Sequence, residues 1–209
     1  MRSAWGLWAV SLIFCVPAAA GSALYPEASA WGALQEGGAL ADRKAEADYM
    51  AIIAAAVPEA FGPQLRLRLI IDQDGRGPKI VGLKKTDSGY RIVAGEPDAW
   101  LKLTPKAPVS RCAIAVEPKL GDALTAAWKS VLLSTSYAEK PAFGAKGEID
   151  HFVMSLDGRW LAGWAYSPES DTPPGRLQNV AMAMIAICMH DDAQEQQRLQ
   201  TALSEFSKP

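Results

Sequence analysis

DHFVMSLDGRWLAGWAY, residues 150–166, is the stretch that decides the fold. Asp157-Gly158 is the preferred pair for a two-residue type I′ turn, and alternating apolar residues flank it on both sides. A two-residue turn fixes the register of the strands that it joins. Leu156 then faces Arg159, Ser155 faces Trp160, Met154 faces Leu161, Val153 faces Ala162, Phe152 faces Gly163 and His151 faces Trp164. Side chains alternate between the two sides of a strand. One face therefore carries Phe152, Met154, Leu156, Leu161 and Ala165, which is a core face. The other carries His151, Val153, Ser155, Trp160, Ala162 and Trp164.

Upstream of the hairpin the pattern extends the sheet. Residues 65–72 alternate, with Leu65, Leu67, Leu69 and Ile71 on one side and Arg66, Arg68 and Ile70 on the other. The turn at 72–78 leads to a strand over 79–84, and Thr86-Asp87-Ser88-Gly89 turns into another over 90–94. Residues 100–103 and 109–116 read as two further strands. Short connections imply antiparallel neighbours, hence a meander. Three helical patterns lie downstream or between. Residues 119–134 place Leu120, Leu124, Trp128, Val131 and Leu132 on one face; 176–190 is apolar almost all round at its end; a last helix carries Leu199, Leu203 and Phe206, capped by Asp191 or Asp192. A first helix over 42–57, capped by Asp42, carries the stripe Tyr49, Ile52, Ile53 and Ala56 and stops at Pro58. The expected fold is α+β: an antiparallel meander with helices packed mainly on one face.

The chain has 209 residues, a net charge of −2 and 49% apolar residues. That composition is globular, and its acidic balance excludes a general nucleic-acid binder. Length favours one domain. Residues 1–20 read as a cleaved signal peptide: Arg2, an apolar run over 4–16, Pro17, then Ala18-Ala19-Ala20. Cleavage falls before Gly21, or alternatively after Ala23. Bulky Phe14 argues against lipid attachment at Cys15, and no other run is long enough to span a bilayer. Removing this segment leaves 20 basic and 23 acidic residues, net −3. Residues 21–41 then form an extended or mobile arm, and 42–209 a single domain. Two cysteines remain, Cys112 and Cys188, 76 positions apart. In an oxidising compartment such a pair is expected to form a disulfide, worth about 4 kcal/mol by chain entropy; two buried thiols are the alternative.

Few residues offer chemistry. Asp72-Gln73-Asp74-Gly75 opens like a calcium loop, but Arg76 and Leu83 occupy its fifth and twelfth positions, so a plain turn is the better reading. His190 suits a helix C-terminus. No metal site and no cofactor are expected. His151, Ser155, Asp150 and Asp157 supply the letters of a triad, yet strand alternation turns Asp150 away from His151, and the chain has no Gly-x-Ser-x-Gly elbow, phosphate loop or dinucleotide fingerprint. His151 remains a weak candidate for a general base.

The outer hairpin face is the better candidate for binding. If Arg66, Arg68, Arg91, Lys102 and Arg111 share its side, an acidic protein carries a basic, tryptophan-bearing sheet surface centred on Trp160, Trp164, His151 and Ser155. Such a surface fits an anionic or sugar-containing ligand, or a partner protein. Ordinary solvated arginines explain the same pattern. Residues 126–137 (AAWKSVLLSTSY), His151-Phe152 and residues 161–168 (LAGWAYSP) together resemble a pattern in small, uncharacterised exported proteins of Gram-negative bacteria. The resemblance implies an envelope location and carries no activity. The expected function is a non-enzymatic periplasmic protein that binds a partner protein or an envelope or glycan component. The alternative is an envelope hydrolase with His151 as base.

Overall fold

A computed structural model describes residues 24–26, 39–73, 75–134, 147–190 and 192–206. The expected signal segment, most of the arm and residues 135–146 lie outside them. Among the described residues seven strands form one sheet: β1 Tyr25–Pro26, β2 Leu65–Gln73, β3 Lys79–Thr86, β4 Gly89–Pro97, β5 Val109–Val116, β6 Glu148–Leu156 and β7 Arg159–Tyr166. Their order is β1-β7-β6-β2-β3-β4-β5, and every neighbouring pair is antiparallel. Strands β2 to β5 are the meander. The β6–β7 hairpin returns to the free side of β2, which makes β2 central. The hairpin has the register that its turn dictates, from Leu156 opposite Arg159 to His151 opposite Trp164. Asp157 and Gly158 both take positive φ, 50° and 77°, as a type I′ turn requires.

Among the described residues four helices cover the sheet: α1 Ala39–Ala56, α2 Pro118–Leu132, α3 Pro173–His190 and α4 Ala193–Phe206. Helices α2, α3 and α4 supply the main core. Leu124, Trp128, Val131, Leu177, Val180 and Met184 meet Leu67, Leu69, Leu83, Ile92, Phe152 and Met154 of the sheet. The opposite face is covered in part by α1 and the 3-10 turn Pro58–Ala60, where Tyr49, Ile53, Ala56 and Val57 meet Ile70, Ile80 and Val93. This second layer explains Ile70, an apolar residue at a position that alternation assigns to the outer side. It also explains Gly95. A Cβ there would run into Val57, so only glycine lets the end of α1 lie this close to β4. The disulfide joins Cys112 of β5 to Cys188 of α3, with Cα atoms 5.6 Å apart. It ties the sheet to the main helical layer.

The structure corrects several local readings. Residues 100–103 are a turn, not a strand: Leu103 and Thr104 both donate their N–H groups to the Trp100 carbonyl, at 3.0 and 2.9 Å. Only Leu101 of this run is buried, while Leu103 is 76% exposed, so the short alternation had no sheet to join. The prolines at 105 and 108 also withhold ladder donors. Helix α1 begins at Ala39, so Asp42 lies inside it and is not its cap, and the helix runs across the expected arm boundary at 41–42. Part of the arm belongs to the sheet: Tyr25 pairs with Trp164 and Pro26 with Gly163, beside a buried Leu24. At the last helix, Asp192 does cap as expected, accepting the Glu195 N–H at 2.9 Å.

Candidate functional site

The hairpin turn places Trp160 at the tip of the outer sheet face, opposite Ser155, and leaves it 54% exposed. Across the neighbouring strand, Val153 pairs with Arg68. The Arg68 guanidinium stands over the Phe61 ring, 4.1 Å from its centre. Phe61 is delivered there by the 3-10 turn, after which the chain becomes extended. Phe61, Pro63, Leu65, Arg68, Val153 and Trp160 line a groove of about 480 Å³. It offers an aromatic ring, a guanidinium already held flat by stacking, and apolar walls. Such a combination suits a partner side chain, a sugar face or an anionic group.

Trp164 and His151 do not belong to this open site. They oppose each other four residues farther from the tip, and they are 0% and 4% exposed. His151 is also in register with Ile70, part of the cluster beneath α1. Strand alternation assigned all four residues to one side correctly. It carried no information on where that side is covered. Trp160 and half-buried Ser155 therefore remain accessible, whereas Trp164 and His151 are interior. The proposed base is out of reach of a substrate at the surface.

The five basic residues likewise do not form one open face. Lys102 lies 3.5 Å from Asp72 and stands over the Tyr49 and Trp100 rings at 4.3 and 5.4 Å. Arg111 approaches Glu59 at 3.9 Å. A register shift between Leu65 and Leu67 turns Leu65 toward Gly82 on the Arg68 side, which sends Arg66 the other way, toward Tyr90. The calcium-like aspartate is also occupied otherwise: Asp72 accepts from the Tyr49 hydroxyl at 3.1 Å. Burial first, then the charge and hydrogen bond of Asp72, push the Tyr49 phenol far above its ordinary value.

The sequence reading turned Asp150 away from His151 but did not foresee the polar cluster that it joins on the other side. Asp150 shares the core side of β6 with Phe152 and Met154, is fully buried, and has no hydrogen-bond partner for either carboxyl oxygen among the described residues. Glu148, two residues earlier on the same side, accepts from Gln73 Nε2 at 2.7 Å and from Gln178 Nε2 of α3. Burial foremost, then the Glu148 charge, hold the Asp150 carboxyl well above the usual carboxylate range; the Gln178 amide acts in the opposite sense. The period of two already put Asp150 among core residues, and that was the available signal. Enclosed on all sides, Asp150 has no path to a substrate. Among the described residues no group of three or more His, Cys, Asp or Glu side chains converges as a metal site would require. Nor, among them, is any helix long and apolar enough to cross a membrane.

Comparison with known proteins returns no matching family model and no curated relative.

Proposed function

We propose that the protein is an exported, non-catalytic binding protein of the cell envelope, which docks a partner protein through the groove around Trp160. The observation that carries this reading is an exposed tryptophan at a rigid hairpin tip, beside a guanidinium stacked on Phe61. Tryptophan and arginine are the residues on which protein interfaces most often concentrate their affinity. A two-residue turn and a central sheet fix both groups in place before binding, which lowers the ordering cost. A disulfide spanning 76 residues suits an oxidising compartment, as do the signal-like residues 1–20 and the likeness to small exported Gram-negative proteins. Burial of His151 counts against the hydrolase alternative.

The test is photo-cross-linking in intact envelopes from a reactive residue placed at Ser155, in the wild-type background and in Trp160→Ala. A discrete protein adduct that disappears with Trp160→Ala is the expected result. The same adducts in both backgrounds, or none in either, would overturn the reading. If the Trp160-dependent adduct is a glycan instead, the groove binds sugar and the protein-partner reading falls.

A further inference from the structure

We propose that β5 is the contact strand of a two-fold symmetric dimer, in which two copies of this chain pair their β5 edges antiparallel about Ile114. This proposal is independent of the Trp160 groove, which lies elsewhere on the sheet. Strand β5 ends the sheet: β4 pairs with one side, and among the described residues no strand pairs with the other. Proteins usually blunt such edges with charges, prolines, bulges or short strands, because unpaired N–H and C=O groups recruit another strand. Here the edge runs regularly for eight residues, Val109–Val116, with Arg111 as its single charge. It is also stiff. The Cys112–Cys188 bond anchors its centre to α3, which lowers the ordering cost of pairing.

The identity of the occupant follows from register. Directly opposed residues of an antiparallel pair lie on the same side of the sheet, so a two-fold axis through the edge must pass at a residue. With the axis at Ile114, Ala113 opposes Ala115, Cys112 opposes Val116 and Arg111 opposes Glu117. The symmetry makes the Arg111–Glu117 pair twice. Glu117 follows the strand with φ −59° and ψ 146°, still extended; both Glu117 and Arg111 are exposed, and the long 3.9 Å approach of Arg111 to Glu59 within each copy leaves its guanidinium donors for a second carboxylate. The outer side of the junction then consists of small alanines bracketed by two opposite-charge pairs. An axis at Arg111 sets the arginines against each other, and one at Ala113 leaves Arg111 opposite Ala115. On the helical side, a groove of about 550 Å³ runs along the same edge between Ile114, Val116, Leu120, Ala123, Leu199 and Leu203. The dimer brings the two grooves, whose lining also includes Glu117, Lys119, Gln196 and Gln200, together across the axis, so the backbone edge and the mixed surface beside it are covered by one partner.

Sedimentation equilibrium of the disulfide-intact protein over a concentration series tests this. Arg111→Glu alone and Glu117→Arg alone each set like charges opposite twice, and each should weaken dimerisation about tenfold. Combining the two restores opposite pairing and should recover most of the affinity. Unfolding temperatures of all three variants serve as the fold control. A protein that stays monomeric throughout, or a dimer whose affinity ignores both single reversals, or one that the double reversal weakens further, would overturn the proposal.

Discussion

Replacing Asp150 with asparagine should make the stability of the protein less dependent on pH, with a slope that can be worked out beforehand. In the fold the Asp150 carboxyl is fully buried without a hydrogen-bond partner among the described residues, and burial and the neighbouring Glu148 charge raise its affinity for a proton. In the unfolded chain an aspartate titrates near pH 3.9. Below that value both states hold the proton, and Asp150 imposes no penalty. Above it the unfolded chain releases the proton while the fold retains it. Stability should then fall by about 1.4 kcal/mol for each pH unit until the folded carboxyl itself ionises. The carboxamide of Asp150→Asn has no proton to release and removes this slope, while keeping the size of the side chain. Urea unfolding of Asp150→Asn and wild type at a series of pH values above about 4 should show wild type losing stability relative to the variant as pH rises, by at most that slope; the common contributions of the other carboxylates cancel in the difference. A constant offset between the two does not matter, because an unpartnered carboxamide carries its own burial cost. Parallel lines would refute the reasoning, since they would mean that Asp150 titrates alike in both states.

Removing the disulfide by Cys112→Ala/Cys188→Ala should cost about 4.5 kcal/mol by the chain-entropy relation for a separation of 76 residues, read from urea unfolding. A loss under about 1 kcal/mol would show that the bond does little to restrict the unfolded chain. The two hairpin tryptophans should behave oppositely. Trp164→Ala should destabilise by about 3–5 kcal/mol, because it empties a fully buried site, whereas Trp160→Ala should stay within about 0.5 kcal/mol of wild type. Equal effects in thermal and urea unfolding would contradict the burial assigned to each.

What could be read from the sequence was what depends on neighbours along the chain. Asp157-Gly158 fixed a register that runs through eight residue pairs of the hairpin, and the stripe through Leu124, Trp128 and Val131 marked the inner face of α2. The disulfide followed from the count of cysteines, but its geometric fitness came only with the fold. Coverage was not legible. Nothing in the letters around His151 and Trp164 differs from those around Trp160, yet one pair is interior and the other residue is exposed. The difference depends on which part of the outer face another segment overlies, a relation between distant residues. The basic face dissolved for a similar reason: Asp72 and Glu59, distant in sequence from Lys102 and Arg111, come to meet them. Trp100–Leu103 failed differently. Its four residues alternate, but alternation over so short a span also describes a turn with one side chain tucked inward.

The central position of β2 has a kinetic consequence. Its pairs with β3 close within a short turn, whereas its pairs with β6 join residues as distant as Leu67 and Met154. Local hairpins form in microseconds, but long loops must lose their closure entropy before any contact compensates. The meander from β2 to β5 can therefore assemble while the β6–β7 hairpin is still unattached, and during that interval β2 is itself an open edge with Leu67, Leu69 and Ile71 uncovered. The interval ends when the hairpin docks. Mutations that slow this docking, such as any that disturb the Asp157-Gly158 turn, should increase aggregation during refolding more than they lower equilibrium stability.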